Sequence, residues 1–128
     1  MKRTILTVLP LLWLCLPAHA EVQERVQEQY YDLQVASDQS LSRALNQASP
    51  IRQNGQIYHA YTRWRVQWNF WWREQRDGRC QIDLTRTQLT ATITLPRLGG
   101  GDAQQRQRFE QYLGALREHE LGHYRIGQ

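Results

Sequence analysis

An α+β fold follows from three patterns in the sequence. Residues 29–35, 56–73 and 80–95 alternate apolar and polar side chains at the period of two that marks half-buried strands. Phe109, Tyr112, Leu113 and Leu116 fall at i, i+3, i+4 and i+7, the spacing of an amphipathic helix. Leu41, Ala44, Leu45 and Ala48 repeat that spacing on a shorter scale. The expected architecture is a small antiparallel β-sheet, a short helix, and a C-terminal helix that carries the pattern H-E-x-x-H.

The chain has 128 residues, enough for one small domain. Met1-Lys2-Arg3 is a short basic head, and Ile5 to Leu16 is almost unbroken apolar sequence. Ala18-His19-Ala20 then supplies a small-x-small cleavage pattern, so residues 1–20 read as a signal peptide. The apolar run is short for a membrane span, and no stable span is expected after cleavage. Trp13 and Leu14 precede Cys15 where lipid attachment would need a small residue. The mature chain, residues 21–128, is therefore expected to be one secreted or periplasmic domain. Its charge falls from +4 to +2 when Lys2 and Arg3 leave, too little to argue for nucleic acid. Cys80 would be the one remaining cysteine; burial as a small hydrophobe is expected, and no disulfide framework is available.

Taken in order, residues 21–28 are polar, with Val22 and Val26 the two apolar exceptions, and read as a lead-in or frayed helix. Tyr31, Leu33 and Val35 share one face of the first strand. Ser37 and Asp38 offer capping oxygens to the short helix, and Pro50 ends it. Residues 51–56 read as a loop with an Asn54-Gly55 turn. From Gln56 to Arg73 a single long strand is expected, its one parity carrying Tyr58, Trp64, Val66, Trp68, Phe70 and Trp72. Five aromatics on one side predict a core wall; a carbohydrate- or nucleic-acid-stacking platform is the alternative, and a further reading is a glycan- or peptide-binding module built on the tryptophans, with Trp71 on the less apolar face. Asp77-Gly78 marks a hairpin turn. Cys80, Ile82 and Leu84 alternate on even positions, whereas Leu89, Ala91, Ile93 and Leu95 alternate on odd ones, which requires a bulge near residues 85–88. Pro96 should end that strand and Gly99-Gly100-Gly101 should form a joint. Asp102 and Gln105 form a capping box for the last helix.

The helical stripe continues through His119, Glu120 and His123, so the motif is expected on the inward face. Two imidazoles one turn apart can grip one metal ion, and neutral imidazole suits Zn²⁺. The metal acidifies its water, and Glu120 between the histidines would act as general base. The expected reaction is zinc-dependent hydrolysis of a peptide or protein substrate, with residues 89–95 as a candidate edge strand to pair with the peptide. The rival from another class is a noncatalytic zinc-binding or envelope-interaction protein.

These motifs, taken together, resemble a bacterial family described as predicted secreted Zn-dependent proteases, domain of unknown function 922. The resemblance runs through Tyr30-Tyr31-Asp32-Leu33, Tyr61-Thr62-x-Trp64-x-Val66-x-Trp68, Cys80, Thr94-Leu95-Pro96, and Leu116-Arg117-Glu118-His119-Glu120-x-Gly122-His123. It covers the chain from about Tyr30 to Gly127. It implies a single zincin-like domain over residues 21–128, with His119 and His123 as ligands and Glu120 as the catalytic residue. Members usually continue helically past the motif; here five residues follow His123, and Ile126 stands where a metzincin pattern wants glycine. Either a third ligand lies upstream, or a partner chain gives it, or the gene product is shortened. His59 is the first candidate, with Asp83 and Asp32 behind it, and Tyr124 is a candidate for stabilising an oxyanion.

Overall fold

The computed structural model describes residues 19–128. Residues 1–18, most of the expected signal peptide, lie outside the described residues. Seven elements follow one another: β1 (His19–Val35), α1 (Leu41–Ala48), β2 (Ile51–Gln53), β3 (Gln56–Tyr58), β4 (Tyr61–Glu74), β5 (Cys80–Gly100) and α2 (Ala103–Gly127). The architecture is α+β, as expected, but the sheet is mixed rather than antiparallel. Its order is β1-β5-β4; β5 runs antiparallel to β4 and parallel to β1. The hairpin at Asp77-Gly78 makes the first pairing antiparallel. β1 lies on the other side of β5 and is joined to β4 through α1 and the small β2–β3 hairpin, and it runs in the direction of β5.

Residues 21–28 belong to β1, not to a frayed helix. Their partners on β5 are Arg86 to Ile93. Val22 and Val26 share one parity with Glu24 and Glu28, so the strand period is present but half its positions are charged. The residues expected as a loop over 51–56 form the β2–β3 hairpin, with Asn54 and Gly55 at φ 51° and 77°, the left-handed pair a tight two-residue turn demands. The long aromatic strand is broken at His59-Ala60 into β3 and β4. The bulge lies at Asp83, two residues before the expected stretch: Trp71 pairs with Leu84 and Trp72 with Ile82. Pro96 does not end β5. β4 stops pairing at Thr94, so beyond that point one side of β5 has no ladder for the missing N–H to interrupt.

The last helix starts on the signal expected for it, whereas α1 is capped by Ser40 rather than by Ser37 or Asp38. The Ser40 hydroxyl accepts from the Arg43 N–H at 3.3 Å. Asp102 and Gln105 make the reciprocal capping box, each bond 2.8 Å long. The core lies in three patches along α2. Phe109 meets Leu33, Val35, Ala44 and Leu45; Leu113, Leu116 and Leu121 meet Ala60, Ile93 and Leu95; Tyr124 meets Leu89 and Ala91.

A length mismatch decides what stays uncovered. A 25-residue helix is roughly 37 Å long, whereas a 21-residue strand reaches roughly 70 Å. The helix begins at the Gly100 end and ends at Gly127, against Trp64. Past that point nothing among the described residues covers the aromatic parity of β4, so the expected core wall is not one. Trp68, Phe70 and Trp72 are 70%, 61% and 57% exposed. Cys80, at the far end of the same hairpin, is exposed rather than buried.

Candidate metal centre

α2 positions three side chains through the phase of its last two turns. Glu120 lies in line with Phe109, Leu113, Leu116 and Tyr124 on the buried side and is 5% exposed. His119 and His123 flank it, one turn apart, at the solvent-open margin. The stripe expected to bury all three residues therefore buries only the carboxylate. The imidazoles sit at the mouth of a cleft.

The two rings face each other. His119 Nε2 and His123 Nε2 are 3.0 Å apart, with ring planes at 87°. One nitrogen carries the proton and the other accepts it. A cation can replace that proton and take both lone pairs. Donor atoms from His119, Glu120 and His123 all lie within 4.8 Å of one another. Among the described residues this is the group of His, Cys, Asp and Glu side chains that can hold a metal ion.

Glu120 is fixed from the sheet. The Thr62 hydroxyl, on β4, lies 2.6 Å from Glu120 Oε2 and 3.1 Å from the Glu120 carbonyl oxygen. One carboxylate oxygen is thus held towards β4. Thr62 is the polar exception on the otherwise aromatic parity of that strand, where alternation alone would have suggested a core filler. The cleft above, of about 400 Å³, is bordered by Tyr58, Tyr61, Trp64 and Ile126. Strand alternation marks Tyr58 and Trp64 as residues of the aromatic parity, core wall or stacking platform, but ties neither these nor Tyr61 and Ile126 to the histidines. β4 is the edge strand beside it. Residues 89–95, expected to be such an edge, lie in the central strand with both sides paired over most of their length.

The other candidates lie elsewhere. His59 stands outside the His119–Glu120–His123 group, and both its ring nitrogens are engaged. Nδ1 is 2.7 Å from the Tyr112 hydroxyl and Nε2 is 2.7 Å from Asn46 Oδ1. His59 ties the β3–β4 break to both helices, and burial pushes its pKa below the usual imidazole value. Asp32 pairs with Arg97 at 2.8 Å, and Asp83 pairs with Arg73 at 3.1 Å in the distal bulge. The Tyr124 hydroxyl donates to Glu24 at 2.6 Å rather than facing the cleft, and that bond raises its pKa.

A family model described as bacterial protein of unknown function (DUF922) matches residues 28–128. No curated protein matches the chain, and no solved structure does.

Proposed function

The chain belongs to the DUF922 family of bacterial proteins, and from that premise and the geometry above we propose that it is a zinc-dependent hydrolase of peptide bonds working outside the cytoplasm. One observation carries the reading: two imidazoles aim their Nε2 atoms at one point beside a buried carboxylate. Their spacing fits zinc. Bonds of about 2.0–2.1 Å at tetrahedral angles place two ligand nitrogens roughly 3.3 Å apart, a few tenths of an ångström from the 3.0 Å seen here. His119 and His123 would hold the ion. When bound, it supplies Lewis acidity, which polarises a carbonyl and acidifies water.

The rest is work for the chain itself. Thr62 holds Glu120 Oε2, which leaves Oε1 to take a proton from the attacking water and return it to the leaving nitrogen. The cleft's aromatic and aliphatic border, Tyr58, Trp64 and Ile126, suits an apolar side chain next to the scissile bond. The outer edge of β4, at Tyr61 to Trp64, suits an extended peptide pairing through its backbone. Export is supported by the basic head, the apolar run from Ile5 to Leu16 and the Ala18-His19-Ala20 pattern.

The test is metal content and turnover on the protein as the cell exports it, its N-terminus read by mass spectrometry. Zinc near one per chain is expected, lost in His119→Ala. Glu120→Gln should keep the metal and lose cleavage of an unfolded protein substrate. Zinc near zero in the wild type overturns the metal site. Zinc without any turnover leaves the noncatalytic zinc-binding protein in its place.

A further inference from the structure

The outer half of the sheet carries an apolar face that nothing among the described residues covers. Val22, Trp68, Phe70, Trp72 and Ile82 form it, with Trp64 at its margin under the helix end, each exposed over about half of its surface or more. Register places them on one side. Val22 and Trp68 both lie beside Thr87, Phe70 beside Thr85, and Ile82 beside Trp72. It is the side on which α2 packs, beyond the helix end at Gly127.

We propose that this face binds the same face of a second copy, sheet on sheet, about a two-fold axis. Area is the first argument. Aromatic side chains present 150–250 Å² each, so at these exposures the six residues leave on the order of 700 Å² open. The largest apolar patch of an ordinary monomer is about 300–600 Å². A stable interface takes about 800 Å² from each partner, and a two-fold contact doubles one patch into a matched pair.

Charge is the second argument, and it chooses the occupant. Strand alternation puts Arg63, Arg65 and Arg73 on the opposite side of β4, and Arg86 faces that way too, bound to Glu21 at 2.8 Å. On the apolar side, Glu24 is engaged by Tyr124 and Gln128, and Glu74 stands at the hairpin's far end. Two copies therefore meet without like charges in the middle of the contact. An anionic lipid surface would call for those arginines on the greasy side, where they are not. Stacked sheets at about 10 Å leave room for interdigitated tryptophans.

Size-exclusion chromatography with light scattering on the exported chain reads the result directly. A particle of twice the chain mass at micromolar concentration is expected. Trp68→Glu should be monomeric with unchanged far-UV circular dichroism, and Phe70→Glu should repeat it. A wild type that stays monomeric overturns the proposal, as does a Trp68→Glu protein that remains dimeric. If the monomer instead cosediments with vesicles of phosphatidylglycerol and phosphatidylcholine, the face belongs to lipid. That finding sinks the second copy.

Discussion

At the scale of single residues, Thr62 decides how Glu120 can act. The carboxylate is nearly sealed from solvent, and the threonine hydroxyl is the side-chain donor the structure gives it. Thr62→Val keeps the shape and removes the donor. A buried acceptor left without its partner costs about 1–3 kcal/mol, so the melting temperature should drop. The freed carboxylate can also rotate towards the histidines, where it would compete for the cation instead of serving as base. Turnover is expected to fall by roughly 10- to 100-fold, the usual range for a lost orienting contact, mostly in kcat. Thr62→Ser should restore most of it. Steady-state kinetics beside a thermal melt separates the two effects: a variant that loses stability but keeps kcat would show that Thr62 only supports the fold. The H-E-x-x-H residues were legible in the sequence because helical spacing is short-range. Thr62 was not, because its partner lies 58 positions away and its own strand pattern reads as filler. His59 shows the converse: histidine chemistry made it a ligand candidate, but Asn46 and Tyr112, set by tertiary packing, occupy its nitrogens.

At the scale of elements, β1 and α2 depend on each other. Glu28 on β1 accepts from Arg117 on α2 at 2.9 Å, and Glu24 accepts from Tyr124 at 2.6 Å. The Arg117 bond, then the Tyr30 hydroxyl, holds the Glu28 carboxyl below the ordinary glutamate range. A carboxylate whose folded pKa is depressed binds fewer protons folded than unfolded, so its contribution is present above the unfolded value and is lost as the pH falls through the folded one. Stability should therefore decline on acidification from just above pH 4 downward. Glu28→Gln should flatten that decline without a matching loss at neutral pH, since the pair is partly solvated and modest in strength. Melting temperatures from pH 7 down to pH 3 check it; parallel curves for the two proteins would show that Glu28 does not carry the effect. These carboxylates also explain why β1 was half hidden in the sequence. Glu24 and Glu28 face the helix, where the Tyr124 hydroxyl hydrogen-bonds the first and Arg117 pairs with the second, and a strand recognised by apolar alternation starts only where those two charges stop. The α2 start was legible, because Asp102 and Gln105 close their capping box within one turn and need nothing from the rest of the fold.

For the whole molecule, one helix serves a sheet longer than itself, and the candidate metal centre lies near the boundary between the covered and bare halves. The sequence could not announce that boundary. Tryptophans at strand spacing look alike whether a helix lies over them or not, and only the relative lengths of α2 and β5 place Trp64 beneath the helix end and Trp68 beyond it. The position of the centre has an energetic consequence. Its two imidazoles belong to the last two turns of α2, where Tyr124 and Leu121 complete the core against Leu89, Ala91 and Ile93. A cation that binds both rings binds the folded chain and not the unfolded one, because only the helix sets them one turn apart. Zinc at a hundredfold excess over its dissociation constant should then add about 2.7 kcal/mol of stability. For a domain of about this size, 1 kcal/mol moves the midpoint by roughly 4–8 °C, so zinc should raise it by more than about 10 °C. EDTA should return it to the starting value. His123→Ala, whose exposed ring costs little to remove, should melt near the metal-free wild type and ignore zinc. A midpoint that does not respond to zinc would remove the site, and a His123→Ala protein that responds as fully as the wild type would place the ion away from the α2 end.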